Sequence, residues 1–318
     1  MSAIAGCVAD AGFAPSTADV TIEHRVDGAA ATFAGCRVPG MCVWVELPRL
    51  GASASTQDGA DRSCLRRAGA AASRIALPVV GSGALVYGAL PDVQALADRV
   101  MGRWPAEFDP RPLCADIGDW LRRVQLAGGP AGSGPSTRHD ASGRLADALE
   151  GHGRSALDRR FGATACRIGR STCDSVLTEL RAERRLRPAH GNLVPASVFG
   201  LQPGSWRLID ARAPGVAPAG LDPGWFAGEM AEIAGALDGQ RPARAALLRS
   251  AGAAFLEAWQ GDGRAPGMLD EVAAHAAARV LEHAQHYVTL VSFDEDVVRD
   301  QLELAARLLR AIPRGGLP

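Results

Sequence analysis

Four side chains in the stretch DEVAAHAAARVLEHAQHY, Glu271, His275, Glu282 and His286, fall at i, i+4, i+11 and i+15, so a continuous helix sets them along one face. Imidazole and carboxylate groups on one face could hold a metal ion or a cationic acceptor. Charges at i, i+4 are also common on exposed helices, so the expectation is a solvated polar face. A second stretch, RPAHGNLVPASVFG at residues 187–200, brings His190, Asn192 and Ser197 together. The amide oxygen of Asn192 accepts a hydrogen bond and can orient a hydroxyl, but it cannot take a proton near neutrality.

What the chain lacks narrows the chemistry further. All 34 basic residues in the Lys+Arg count are arginines, so any mechanism that needs a lysine is excluded. A genome that favours Ala, Gly and Arg codons accounts for the bias in composition. The seven cysteines (Cys7, Cys36, Cys42, Cys64, Cys114, Cys166 and Cys173) are scattered and never spaced as CxxC. That pattern argues for reduced thiols in a cytoplasmic protein and against a zinc site or a disulfide scaffold. A net charge of −1 gives no field to attract nucleic acid or an anionic membrane, and neither partner is expected. No basic-then-apolar leader opens the chain and no run of 18 apolar residues spans it, so secretion and membrane insertion are not expected.

The elements that must position these residues change character near Pro91. Before it, DVTIEHRV, ATFAGCRV and MCVWVEL read as strands of an antiparallel meander, residues 59–75 as a helix, and LPVV and ALVYGAL as two more strands. After it the apolar spacing is helical, with short strands expected at SVFGL and WRLID and helices again from Ala243 to Ile312. The Gly/Ser/Pro stretch 127–143 reads as a flexible loop. The expected fold class is α+β with two lobes: a small β-rich lobe over residues 1–91, five antiparallel strands and one helix, and a larger helical lobe over 92–318.

With these elements in order, HGNLVPASVF, WRLIDAR and GLDPGWFAGEMAEI resemble the aminoglycoside phosphotransferase and choline kinase family, a branch of the protein-kinase-like fold. The family's loop reads His-Gly-Asp with an Asn five residues after the Asp, followed by a strand ending in Ile-Asp and a segment that opens a helix. The spacing matches from His190 to Glu232, and the order of elements matches over nearly the whole chain. The resemblance makes 188–212 the catalytic-type loop and implies magnesium and ATP as cofactors if the chain is active.

Carried over residue by residue, the resemblance places Asn192 where the family has its catalytic carboxylate and Ser197, a neutral and shorter oxygen ligand, at one magnesium position. Asp210, at the end of WRLID, is the carboxylate in the other metal position. His190 is implied to be a structural loop residue, and Asp222 to brace the loop through backbone hydrogen bonds. Glu46 in VWVELP stands where the family has the lysine of its third strand, and a carboxylate there repels phosphates. The following helix offers Arg62, Arg66 and Arg67 in place of a partner glutamate, so an inverted pair of Glu46 with Arg66 or Arg67 is expected; a register shifted by one residue instead turns Glu46 to solvent. Of a glycine-rich phosphate loop only Gly28 remains, and backbone amides from Gly28 to Thr32 could approach a phosphate or simply form a hairpin turn.

Two functions follow from this comparison. One is a kinase-like protein with a degenerate site that binds a protein, peptide or small-molecule partner. The other is an active ATP-dependent kinase of a natural-product hydroxyl or a peptide Ser/Thr, working through a rearranged site. In either case Asn192, Ser197 and Asp210 are expected to converge opposite Glu46.

Overall fold

The computed structural model describes residues 2–27, 31–48, 74–76, 79–81, 84–102, 108–129, 132–134, 140–209, 215–261 and 267–318. The chain divides into two compact units. One comprises 1–60, 72–106 and 195–213, the other 61–71, 107–194 and 214–318.

The first unit is built on a sheet of five antiparallel strands: β1 (Thr21–Asp27), β2 (Ala31–Val38), β3 (Met41–Pro48), β4 (Val79–Gly81) and β5 (Ala84–Leu90), in the order β1-β2-β3-β5-β4. Strand alternation sorts the side chains of β3 onto two faces. Val43 and Val45 join Ala34, Cys36 and Val86 under Ile4, Cys7 and Val8 of helix α1 (Ser2–Asp10). Cys42 and Trp44 join Leu85, Tyr87, Val93, Phe199 and Ile209 on the other side. Both faces are therefore apolar, and β3 reads as a nearly unbroken hydrophobic run. The N-terminal helix was not foreseen, because its small residues carry little amphipathic signal. The expected helix at 59–75 lies outside the described residues except for its last two positions.

Helix α2 (Leu96–Met101) completes the first unit together with two short strands within 195–213. The second unit is helical. Its helices are α3 (Pro110–Ala127), α4 (Asp140–Leu149), α5 (Ala156–Arg181), α6 (Leu221–Asp238), α7 (Pro242–Gln260), α8 (Met268–Leu290) and α9 (Glu295–Ala311). Local chemistry starts several of them: Asp109 caps α3 ahead of Pro110, and Ser155 and Asp158 form a reciprocal capping box on α5. A short sheet is ordered β10-β7-β6, with β6 at Ser133–Gly134, β7 at Arg184–Ala189 and β10 at Gly215–Pro218. β6 and the start of α4 fall within the Gly/Ser/Pro-rich stretch 127–143. The two strands expected near SVFGL and WRLID are β8 (Val198–Phe199) and β9 (Arg207–Leu208), which pair antiparallel.

Helices α6 and α8 pack closely because α6 presents glycines to its neighbour. A Cβ on Gly228 would lie 2.7 Å from the Ala276 carbonyl oxygen, and one on Gly224 would lie 2.5 Å from the His275 Cβ. That approach buries the alanine-rich face of α8.

Candidate functional site

Strand β7 delivers the chain into His190, Gly191 and Asn192. Gly191 has φ +79, a left-handed conformation that glycine adopts without a Cβ penalty, and it turns the backbone sharply. The carboxylate of Asp222 in the first turn of α6 closes this turn. It accepts the His190 N–H at 2.7 Å and the Gly191 N–H at 3.0 Å and is itself buried. The bracing role expected for Asp222 is thus what the geometry provides. Around it Ala189 and Val194 pack with Leu221 and Trp225 of α6, so apolar contact and charge-assisted hydrogen bonds fix the same segment. His190 is buried and Asn192 half-buried.

The residues that open α6 are held in turn. The Gln125 side-chain amide donates to the Ala219 carbonyl at 3.0 Å, and Trp259 donates to Gln125 at 3.0 Å. The Gly220 N–H donates to Glu271 at 2.6 Å. Arg184, paired with Glu179 at 2.6 Å, lies 3.9 Å from the same Glu271. Burial pushes the Glu271 carboxyl above its ordinary range, against the Gly220 hydrogen bond and Arg184.

Further along the α6–α8 contact lies a network that inspection of the sequence missed. Arg279 donates to Glu282 at 2.7 Å and to Glu229 at 3.1 Å, and its guanidinium stacks 4.8 Å from the ring of Trp225. His283 meets Glu232 at 2.6 Å and approaches Glu229 at 4.0 Å. Burial pushes the Glu282 carboxyl up, but the adjacent Arg279 charge and hydrogen bond outweigh it and hold the group below its ordinary range. Burial pushes Glu232 up. For His283, burial and Arg279 oppose the charged form, yet its hydrogen bond to Glu232 prevails and raises it. The available signal was Glu229 and Glu232 within the otherwise apolar GWFAGEMAEIAGAL, because buried carboxylates require a cation.

This packing corrects the expectation of a solvated face on α8. His275 is fully buried and Glu282 is 6% exposed, while His286 at the far end is open to solvent. The glycines of α6 bring the helices together, and Arg279, off the predicted stripe, supplies the countercharge. Among the described residues no group of three or more His, Cys, Asp or Glu is arranged to hold a metal ion.

In the sheet unit, Ser197 ends a turn of 3-10 helix and is buried, with its carbonyl accepting the Ile209 N–H at 2.9 Å. The Leu208 carbonyl accepts the Ala76 N–H at 2.7 Å, which ties β9 to the segment entering β4. Asp210, Gly28 and Arg66, together with Arg62 and Arg67, lie outside the described residues. Thr32 donates its hydroxyl to Asp27 at 2.7 Å, next to Arg25. Glu46 stands opposite Phe33 on β2 and Leu85 on β5. At 8% exposure it shares the Cys42 and Trp44 face, so the alternative in which it turns to solvent is excluded.

No protein-family model matches the sequence, and no curated protein matches it. Solved structures do match. A choline/ethanolamine kinase family protein from Mesorhizobium loti is 12% identical with a TM-score of 0.60, covering 99% of this chain and 96% of its own. An ethanolamine kinase from Plasmodium vivax is 12% identical with a TM-score of 0.54, covering 91% and 82%. An aminoglycoside-3'-phosphotransferase of type VIII aligns at 18% identity and a TM-score of 0.47 over 83% and 92%. The first two likenesses establish the fold: the chain is kinase-like, α+β, with a small antiparallel sheet and a larger helical part.

Proposed function

We propose that this kinase-like chain is a binding protein of the pseudokinase type, whose site has lost fast phosphoryl transfer and serves a peptide, protein or small-molecule partner in the cytoplasm. The burial of Glu46 in β3 carries this reading. The family resemblance sets a lysine at that position to clamp nucleotide phosphates, and a carboxylate in a low-dielectric environment repels them. Asn192 in place of the catalytic carboxylate and the buried neutral Ser197 at a metal position point the same way. Loss of a general base alone costs roughly 10²- to 10⁴-fold in rate, so the reading rests on the combination.

A second reading has its own support in the braced turn at His190–Gly191, which keeps the loop in a defined conformation. Phosphoryl transfer asks mainly for positioning and charge neutralisation, which magnesium on Asp210 and an arginine could partly supply to ATP. The deciding experiment is a titration with magnesium-ATP followed by thermal shift and calorimetry. The pseudokinase reading expects little stabilisation, since the effect follows RT ln(1 + [L]/Kd). It also expects Asn192→Asp to create no transfer, because the phosphate clamp stays absent. Tight binding with phosphate transfer that Asp210→Ala abolishes would overturn it in favour of the active kinase.

A further inference from the structure

Strand β7 carries arginines at 184, 185 and 187, and strand alternation sets the first apart from the others. Arg184 is satisfied by Glu179 and sits near Glu271. Arg185 and Arg187 share the opposite face, and neither guanidinium makes a hydrogen bond, ion pair or ring contact with any described residue. Other arginines in that condition, Arg154, Arg170, Arg307, Arg310 and Arg314, are exposed, as Arg185 is; Arg187 is half-buried. A guanidinium partly withdrawn from water, with no acid beside it among the described residues, is unfavourable, and a second cation two residues away adds repulsion.

The surroundings give this face a shape. Ala189, next on the same face, and Ala217, the register partner of Arg187 on β10, are buried in the cluster with Leu221, Trp225 and Ala141. Coverage therefore falls from Ala189 through Arg187 to Arg185, which leaves the two arginines at the less covered end of this strand face. Ser133 on β6, the register partner of Arg185, is exposed and adds a hydroxyl at the same edge. Residues i and i+2 on a strand lie about 7 Å apart, which lets two guanidinium forks close on one tetrahedral oxyanion.

We infer that Arg185 and Arg187, with Ser133, form a site for a phosphate-type oxyanion carried by a small molecule. The site lies three residues upstream of His190, roughly 10 Å along the strand. This deepens the ligand-binding function proposed above and rests on it. The oxyanion belongs either to a phosphorylated ligand in the acceptor position or to the phosphate tail of a nucleotide, and Arg forks bind both.

Inorganic phosphate titrated at constant ionic strength, with chloride as compensating salt, tests the site by thermal shift and calorimetry. Phosphate is expected to stabilise the protein saturably. Arg187→Gln should weaken its apparent affinity by about tenfold or more, as loss of a charge-assisted pair does. Arg185→Gln should weaken it several-fold, Arg187→Lys should fall between wild type and Arg187→Gln, and Arg310→Gln should leave it unchanged. Circular dichroism verifies folding, and if Arg187→Gln is unfolded the exposed Arg185→Gln decides alone. Phosphate displaced by magnesium-ATP, with both lost in Arg187→Gln, assigns the oxyanion to the nucleotide; phosphate binding lost while the response to magnesium-ATP is unchanged assigns it to the acceptor. An adventitious ion only, meaning no saturable response in wild type or an equal one in Arg187→Gln and Arg185→Gln, overturns the inference. Tight magnesium-ATP binding independent of Arg187 would instead overturn the pseudokinase reading and leave this site standing.

Discussion

Asp222 in the helical unit and Glu46 in the sheet unit are both buried carboxylates, and they relate differently to the kinase-like fold around them. Asp222 accepts two backbone N–H groups and holds the turn at His190 and Gly191, as the family resemblance implies. Glu46 occupies a strand position where the same resemblance implies a cation. By that resemblance, the brace that frames the loop is present and the strand position implied for a phosphate-binding cation carries an acid. The frame is set by backbone hydrogen bonds and packing, which stabilise the fold whatever the chain binds. Phosphate contacts contribute to ligand binding and catalysis and can change without unfolding the protein.

If the frame is structural in this sense, the largest effects should come from its buried charges. Arg279→Ala leaves Glu229 and Glu282 buried without their cation and should cost about 3–5 kcal/mol in urea denaturation. Replacing Arg279, Glu229 and Glu282 together by apolar residues of similar volume should recover most of that loss. A triple variant as unstable as Arg279→Ala would show that the network does more than satisfy itself. Asp222→Ala comes next, at about 2–3 kcal/mol for two stranded N–H groups. Hydrogen exchange should show the amides of His190 and Gly191 losing protection first, and unchanged protection would remove Asp222 from its bracing role. For Glu46, if it pairs with Arg66, Arg66→Glu should cost more than the ~1 kcal/mol of an exposed ion pair, and adding Glu46→Arg should restore much of it. No recovery in the double variant, or in its Arg67 counterpart, would end the inverted-pair idea.

The parts legible in the sequence were those with periodicity behind them. The strands of the meander, the short β8 and β9, and the C-terminal helices all follow from period-2 or helical spacing and from Gly and Pro punctuation. The Asp222 brace was legible only through the family resemblance, which implies an acid at the start of GLDPGW that holds the loop. The burial of α8 was not, since spacing tells which residues share a face and says nothing of what covers it. The information lay on α6, in Gly224 and Gly228, which let α8 approach, and in Glu229 and Glu232, which needed Arg279. Helix α1 was missed because the hairpin pattern after it dominates the first ninety residues.

The smallest expected effect lies at the open edge of the same network, where the comparison can be sharpened by pH. Around His283 stand Glu229 and Glu232 on α6 and Arg279, Glu282 and His286 on α8. Burial and Arg279 disfavour its charged form, but the hydrogen bond to Glu232 raises it overall. A histidine raised in the folded state binds its proton more tightly there than in the unfolded chain. Its stabilisation is then complete below about pH 6.5, the unfolded value, and is lost as pH climbs through the higher folded value. His286, half exposed but lowered by the desolvation of its covered side, has the opposite sign and weakens the fold as pH falls below the unfolded value. The difference in urea midpoint between wild type and His283→Gln should therefore be greatest near pH 6 and shrink steadily towards pH 9. A difference that is flat over this range, or that grows with pH, would show that His283 does not hold its proton in the network. The contact with Glu232 would then be a neutral hydrogen bond at the rim of a frame whose charge is settled by Arg279 alone.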